Sequence, residues 1–78
     1  MDTDLILKHL ALADEHVALG QKNIDQQMAL IAELEIGGHD ANAAKGLLAH
    51  FLELQAACEA NRERLLQQLT THGESQQP

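Results

Sequence analysis

Apolar positions recur along this chain at alternating steps of four and three residues, in two unbroken runs. The first passes through Ile6, Leu10, Ala13, Val17, Gly20, Ile24, Gln27, Ile31 and Leu34. The second passes through Ala41, Ala44, Leu48, Phe51, Gln55, Cys58, Arg62, Leu65 and Leu69. A mean repeat of 3.5 residues is the seam of one helix packed along another. Gly37-Gly38-His39-Asp40 separates the runs, and the only proline is Pro78, so local preference favours helix on both sides of a single break. The pattern predicts a helix over about 3–36, a turn over 37–40 and a second helix over about 40–71. Gly37 is expected to be the left-handed residue that closes the first helix, and Asp40 to cap the second. Asp2 or Thr3 is the candidate cap for the first helix, with Asp4 favourable beside it. Arg62, Arg64 and His72 suit the negative end of the second. Residues 73–78 carry no apolar anchor and are expected to form a disordered tail.

A short turn makes the two helices antiparallel, so the seams can be laid against each other. Folding about the glycines pairs Leu34 with Ala41, Ile31 with Ala44, Gln27 with Leu48 and Ile24 with Phe51. Outward from there come Gly20 with Gln55, Val17 with Cys58, Ala13 with Arg62, Leu10 with Leu65 and Ile6 with Leu69. The two residue numbers of every pair total 75, with no shift of register along the rod. The fold class is therefore all-α, a coiled-coil-like antiparallel two-helix hairpin. Gln27, Gln55 and Arg62 interrupt the apolar seam. A two-helix core is thin, and the expectation is that these long side chains reach out to water; a polar site inside the hairpin is the alternative. Gly20, opposite Gln55, would make room for that side chain to reach a backbone carbonyl. Cys58 is expected to be a small buried hydrophobe.

A second apolar stripe runs beside the seam. Leu5, His9, Leu12, His16 and Leu19 form a ladder on one flank of the first helix. Leu47, His50, Leu54 and Ala57 lie on the matching flank of the second, with Leu30 near Leu47. The other flank brings Leu7 toward Leu66 and adds Met28 and Leu52. A lone hairpin has no third layer to cover these groups, and small chains often complete a core by association. The stripe predicts a homodimer that closes a four-helix bundle, with Leu5, His9, Leu12, His16, Leu19, Leu47 and Leu54 at the interface.

Five histidines in 78 residues make metal binding worth weighing, with His9, His16 and His50 as the candidates. His9 and His16 are seven residues apart, roughly 10 Å along a helix, too far to hold one ion together. The residues three before each helical histidine are Ile6, Ala13, Leu47 and Leu69, so the Glu-x-x-His motif of di-iron bundles is missing. The expectation is no cofactor, with histidines as amphipathic flank residues. Across a dimer they could still converge to bind metal or to respond to protons.

Charge and composition exclude more than they assign. Twelve acidic against five basic side chains give −7, with one Phe and no Tyr or Trp. Such a chain is repelled by phosphate backbones and offers no stacking platform, which argues against nucleic acid as a partner. A single Cys forms no internal disulfide. The acidic start Met1-Asp2-Thr3-Asp4 is unlike a secretory signal, and no stretch approaches the ~20 apolar residues that span a bilayer. No membrane association and a cytoplasmic location are expected. No nucleophile elbow or phosphate-binding loop is present, so an enzyme is not expected.

Several of these residues form a recognisable set. His16-x-x-x-Gly20, Ile24, Gln27, Ile31-x-x-Leu34, Gly38-His39-Asp40, Leu47-Leu48-x-x-Phe51-x-x-x-Gln55 and Arg62-x-Arg64-Leu65-Leu66 together resemble a group of short proteobacterial proteins of unknown function. The likeness runs from about residue 9 to residue 69. It implies a bacterial helical hairpin and brings no activity, substrate or catalytic residues with it. Ala41 departs from the pattern, where a Thr would be expected after Asp40; this touches only the helix cap. The functional expectation is a non-enzymatic, acidic protein–protein interaction or scaffold module acting as a homodimer, with an unidentified protein partner possible. The alternative is a metal- or pH-responsive helical bundle.

Overall fold

The computed structural model describes residues 3–75, and side chains over 3–71. Two helices of 34 residues each, α1 (Thr3–Ile36) and α2 (Asn42–Ser75), fold back on each other, and the described residues contain no strand. The rod measures 65 × 15 × 13 Å. Its single interface is the seam read from the spacing. Every seam position on both helices is buried or half-buried, and outside the seam only Thr3 and Leu66 are drawn in as well. Ile6, Ala13, Ile24, Ile31, Ala41 and Leu65 form the buried apolar core. The other large residues of the seam, Leu10, Leu48 and Phe51 among them, keep partial contact with water, as one layer of packing dictates.

The turn closes with two nested hydrogen bonds. His39 N–H donates to the Leu34 carbonyl at 2.8 Å, and Gly38 N–H donates to Glu35 at 3.1 Å. These are the two bonds of a Schellman motif, whose left-handed residue precedes the last donor. That residue is Gly38, with φ of 75°, which corrects the assignment of this role to Gly37. Gly37 continues the helical bonding by donating to Glu33 at 3.0 Å, so the chain reverses one residue later than expected. Its missing side chain still matters, because a Cβ there would come within 3.0 Å of the His39 ring. Asp40 holds the start of α2 from one residue further out than the N-cap expected of it: its Oδ1 accepts the Asn42 N–H at 2.9 Å, while the Ala41 carbonyl accepts the first helical bond, from Lys45 N–H, also at 2.9 Å. The helix proper begins at Asn42 rather than 40, since Ala41 occupies the cap position and stands outside it.

The other end differs from expectation. Helix α2 continues through Ser75, so residues 73–75 are helical and not tail. Gly73 weakens a helix by about 1 kcal/mol relative to Ala but does not end one without a proline or a cap beside it. Residues 76–78, the remainder of that expectation, lie outside the described residues, as does Asp2; Thr3, the other candidate cap of α1, is its first helical residue.

Candidate functional site

The sequence predicted a flank, and on that flank the two helices leave a groove made of three adjoining open depressions. Its first stretch is bordered by His9, Leu12, Ala13, His16, Asn61 and Leu65. The next has Ala13, His16, Leu54, Ala57, Cys58 and Asn61. The widest stretch, about 240 Å³, is bordered by His16, Leu19, Asn23, Phe51, Leu54 and Cys58, with Gly20 and Gln55 at its floor. His16 borders all three. The groove exists because an antiparallel pair packs tightly only along its seam; the flanking positions diverge where large residues alternate with Ala13, Gly20 and Ala57.

Of the expected interface residues, His9, Leu12, His16, Leu19 and Leu54 come together along this groove. Leu12, Leu19 and Leu54 are more than half exposed, at 51, 57 and 51%. Leu5 and Leu47, at 41 and 45%, extend the same flank beyond it. His50 is exposed on that face too, one turn from Leu47 and Leu54. The described residues hold no group of three His, Cys, Asp or Glu side chains able to bind a metal ion. Cys58 is half-buried, unpaired and beside His16 on the groove wall.

The polar seam residues divide into two kinds. Arg62 does reach water: its guanidinium turns out of the seam and pairs with Asp14. The hydrogen bond and the charge of Asp14 hold Arg62 above its ordinary pKa range. Gln27 and Gln55 do not reach water, which corrects the expectation for them; they are 8 and 6% exposed. Gln27 Nε2 on α1 donates to the Ala44 carbonyl of α2 at 3.0 Å. Gln55 Nε2 on α2 donates to the Val17 carbonyl of α1 at 2.8 Å. A helical carbonyl has two lone pairs, so it can accept such a bond beside its own intrahelical one. Gly20 makes room for Gln55 as expected, since a Cβ there would sit 1.9 Å from Gln55 Oε1. That buried oxygen receives no N–H or O–H donor and rests against the bare Cα of Gly20.

Sequence reasoning missed the Asp14–Arg62 pair. The signal was available, because the register set Arg62 opposite Ala13, one residue from Asp14. The pair lies on the flank away from the groove, and a second one, Lys45 to Glu35 at 3.3 Å, lies on that same side. Neither described helix is long and apolar enough to cross a membrane. No known protein family matches the chain, and neither does any curated protein or any solved structure.

Proposed function

We propose that this protein is a non-enzymatic, acidic interaction or scaffold module that works in the cytoplasm as a homodimer, two hairpins closing one four-helix bundle. The observation that carries the reading is the flank itself. Its leucines, each about half exposed, leave on the order of 500 Å² of apolar surface, at the upper end of the roughly 300–600 Å² that the largest patch on a monomer reaches. A two-helix rod has no further element with which to cover it. The resemblance to short proteobacterial helical hairpins is compatible with this reading and adds no activity to it.

The test is Leu12→Glu. A carboxylate at the centre of the ladder must lose its water when the flank is covered, and a symmetric dimer offers it only its own copy or an apolar wall. Sedimentation should show wild type as a dimer and Leu12→Glu shifted to monomer, with helicity retained because Leu12 lies outside the seam. Glu53→Gln, on the outer face, should sediment as wild type. A wild type that stays monomeric at every concentration would sink the proposal.

A second reading has one observation in its favour: His9 and His16 border the same groove, so two copies would bring four imidazoles to one interface. That is the metal- or pH-responsive bundle, and a site of this kind would have to be assembled between chains.

A further inference from the structure

The groove flank is polar along its length as well as apolar across it. On α1 the seven-residue column that forms the ladder reads Leu5, Leu12, Leu19, Gln26, Glu33, passing from apolar to acidic toward the turn. On α2 one flank column reads Asp40, Leu47, Leu54, Asn61 and its neighbour Ala43, His50, Ala57, Arg64. The turn end of this flank therefore carries Glu33 and Asp40, both exposed. Toward the opposite end, level with Ala11, the flank carries Arg64, whose Nη2 donates at 3.1 Å to Oδ1 of Asn61 on the groove wall. Between these ends the described flank has no carboxylate, although the chain carries −7. On α1, Asp4, Asp14, Glu15 and Asp25 occupy the back or the other flank by their spacing from the seam, and on α2 Glu53, Glu59 and Glu63 do the same.

We propose that a second copy of this chain seats on the flank in the antiparallel sense, the turn of each hairpin toward the open end of the other, with Glu33 and Asp40 of one copy facing Arg64 of its partner. The inference rests on the homodimer reading and adds to it the surface and the orientation. Three arguments support it. A two-fold interface presents the same patch twice, so an uncharged strip can meet itself where an acidic one cannot. The register sets Arg64 level with Ala11, so with Glu33 and Asp40 of one copy facing Arg64 of the other the two rods overlap over about 40 Å, with the uncharged stretch from Leu12 to Leu30 inside the overlap and Leu5 beyond it. On a rod of this width that overlap approaches the ~800 Å² per partner that a stable dimer buries. The parallel arrangement would set Glu33 and Asp40 against their own copies, whereas the antiparallel one sets them against Arg64 at both ends. Rim charges of this sort add little affinity but decide orientation, because the rejected arrangement is repulsive. The other flank, with Leu7, Met28, Leu52 and Leu66, is disfavoured because covering it would desolvate the Asp14–Arg62 and Glu35–Lys45 pairs.

Distances between nitroxide labels test this directly. A label at Ile36→Cys in a Cys58→Ser background sits at the turn, on a residue 88% exposed. Antiparallel seating separates the two labels of a dimer by more than about 45 Å, and parallel seating brings them within about 30 Å. The expected result is the long distance. A short one would overturn the inference and leave the homodimer standing. No intermolecular distance at any concentration would mean that the homodimer reading itself has failed. Arg64→Glu should weaken the dimer about tenfold, and adding Glu33→Arg should bring it back to within about threefold of wild type. An Arg64→Glu dimer as tight as wild type would also overturn the proposed orientation.

Discussion

Gly20 and Gln55 act as one unit. Helix propensity alone makes a mid-helix glycine worse than alanine by up to about 1 kcal/mol, so replacing it should help. The geometry reverses that sign. A Cβ at Gly20 would occupy the place of Gln55 Oε1 and lie 2.9 Å from Cδ, so the amide has to move. The side chain is flexible, and the clash itself is cheap to relieve. The cost is the bond to Val17, whose loss from a buried amide is worth about 1–3 kcal/mol. Gly20→Ala should therefore destabilise by about 1 kcal/mol net. In a Gln55→Ala background the same substitution should stabilise by up to ~1 kcal/mol. Denaturant titrations of the two single variants and the double variant, at one protein concentration, measure this as a coupling energy. Stabilisation by Gly20→Ala in the wild-type background would show that Gln55 is not held where the structure has it.

At the scale of elements, the two helices are specified by their ends as much as by their seam. A Cβ at Gly38 would meet nothing within 4 Å, yet its φ of 75° is unfavourable for any side chain. Gly46 also has open space, but it stands in the exposed body of α2 with ordinary helical geometry. Two glycine-to-alanine changes of equal steric freedom should then act in opposite directions. Gly38→Ala should cost about 1–2 kcal/mol through left-handed strain. Gly46→Ala should add up to ~1 kcal/mol by removing unfolded-state freedom. Thermal melts of the two variants at matched concentration check both signs, and a neutral Gly38→Ala would mean the turn has another way to close. The reciprocal glutamine bonds complete the specification. Each helix lends one amide to the other's backbone, at Ala44 and at Val17, and a slip of register would leave both amides buried without partners.

The whole molecule is a rod one packing layer thick, and in the proposed dimer its stability would be tied to the partner that covers the flank. The proposed dimer predicts a melting temperature that rises by about 5–10 °C for a hundredfold increase in concentration, since association would then be part of folding. Scanning calorimetry across that range checks the slope, and a concentration-independent melt would exclude dimerisation. The same experiment with one equivalent of zinc separates the two functional readings. Flank histidines that serve only as contacts leave the melt unmoved, whereas a zinc-dependent rise would favour the metal-responsive bundle.

Much of this was legible in the linear pattern. Alternating steps of four and three mark the buried face of each helix whatever its partner, because helical geometry alone decides which side chains share a side. A short turn then leaves the antiparallel register little choice. That is why the seam from Ile6 to Leu69, the hold of Asp40 on the start of α2 and the clearance at Gly20 could all be read before folding. The ladder through Leu5, Leu12 and Leu19 was legible for the same reason. Other features depend on atoms that meet only when both helices are in place. Which of Gly37 and Gly38 turns left-handed follows from where the last helical carbonyls find donors. Whether a polar seam residue reaches water depends on what stands beside it. Arg62 has Asp14 within reach outside the seam and leaves, while Gln27 and Gln55 find backbone carbonyls inside it and stay. Periodicity could locate these residues on a face but not choose their partners, because partner choice is a matter of ångströms between chain segments far apart in sequence.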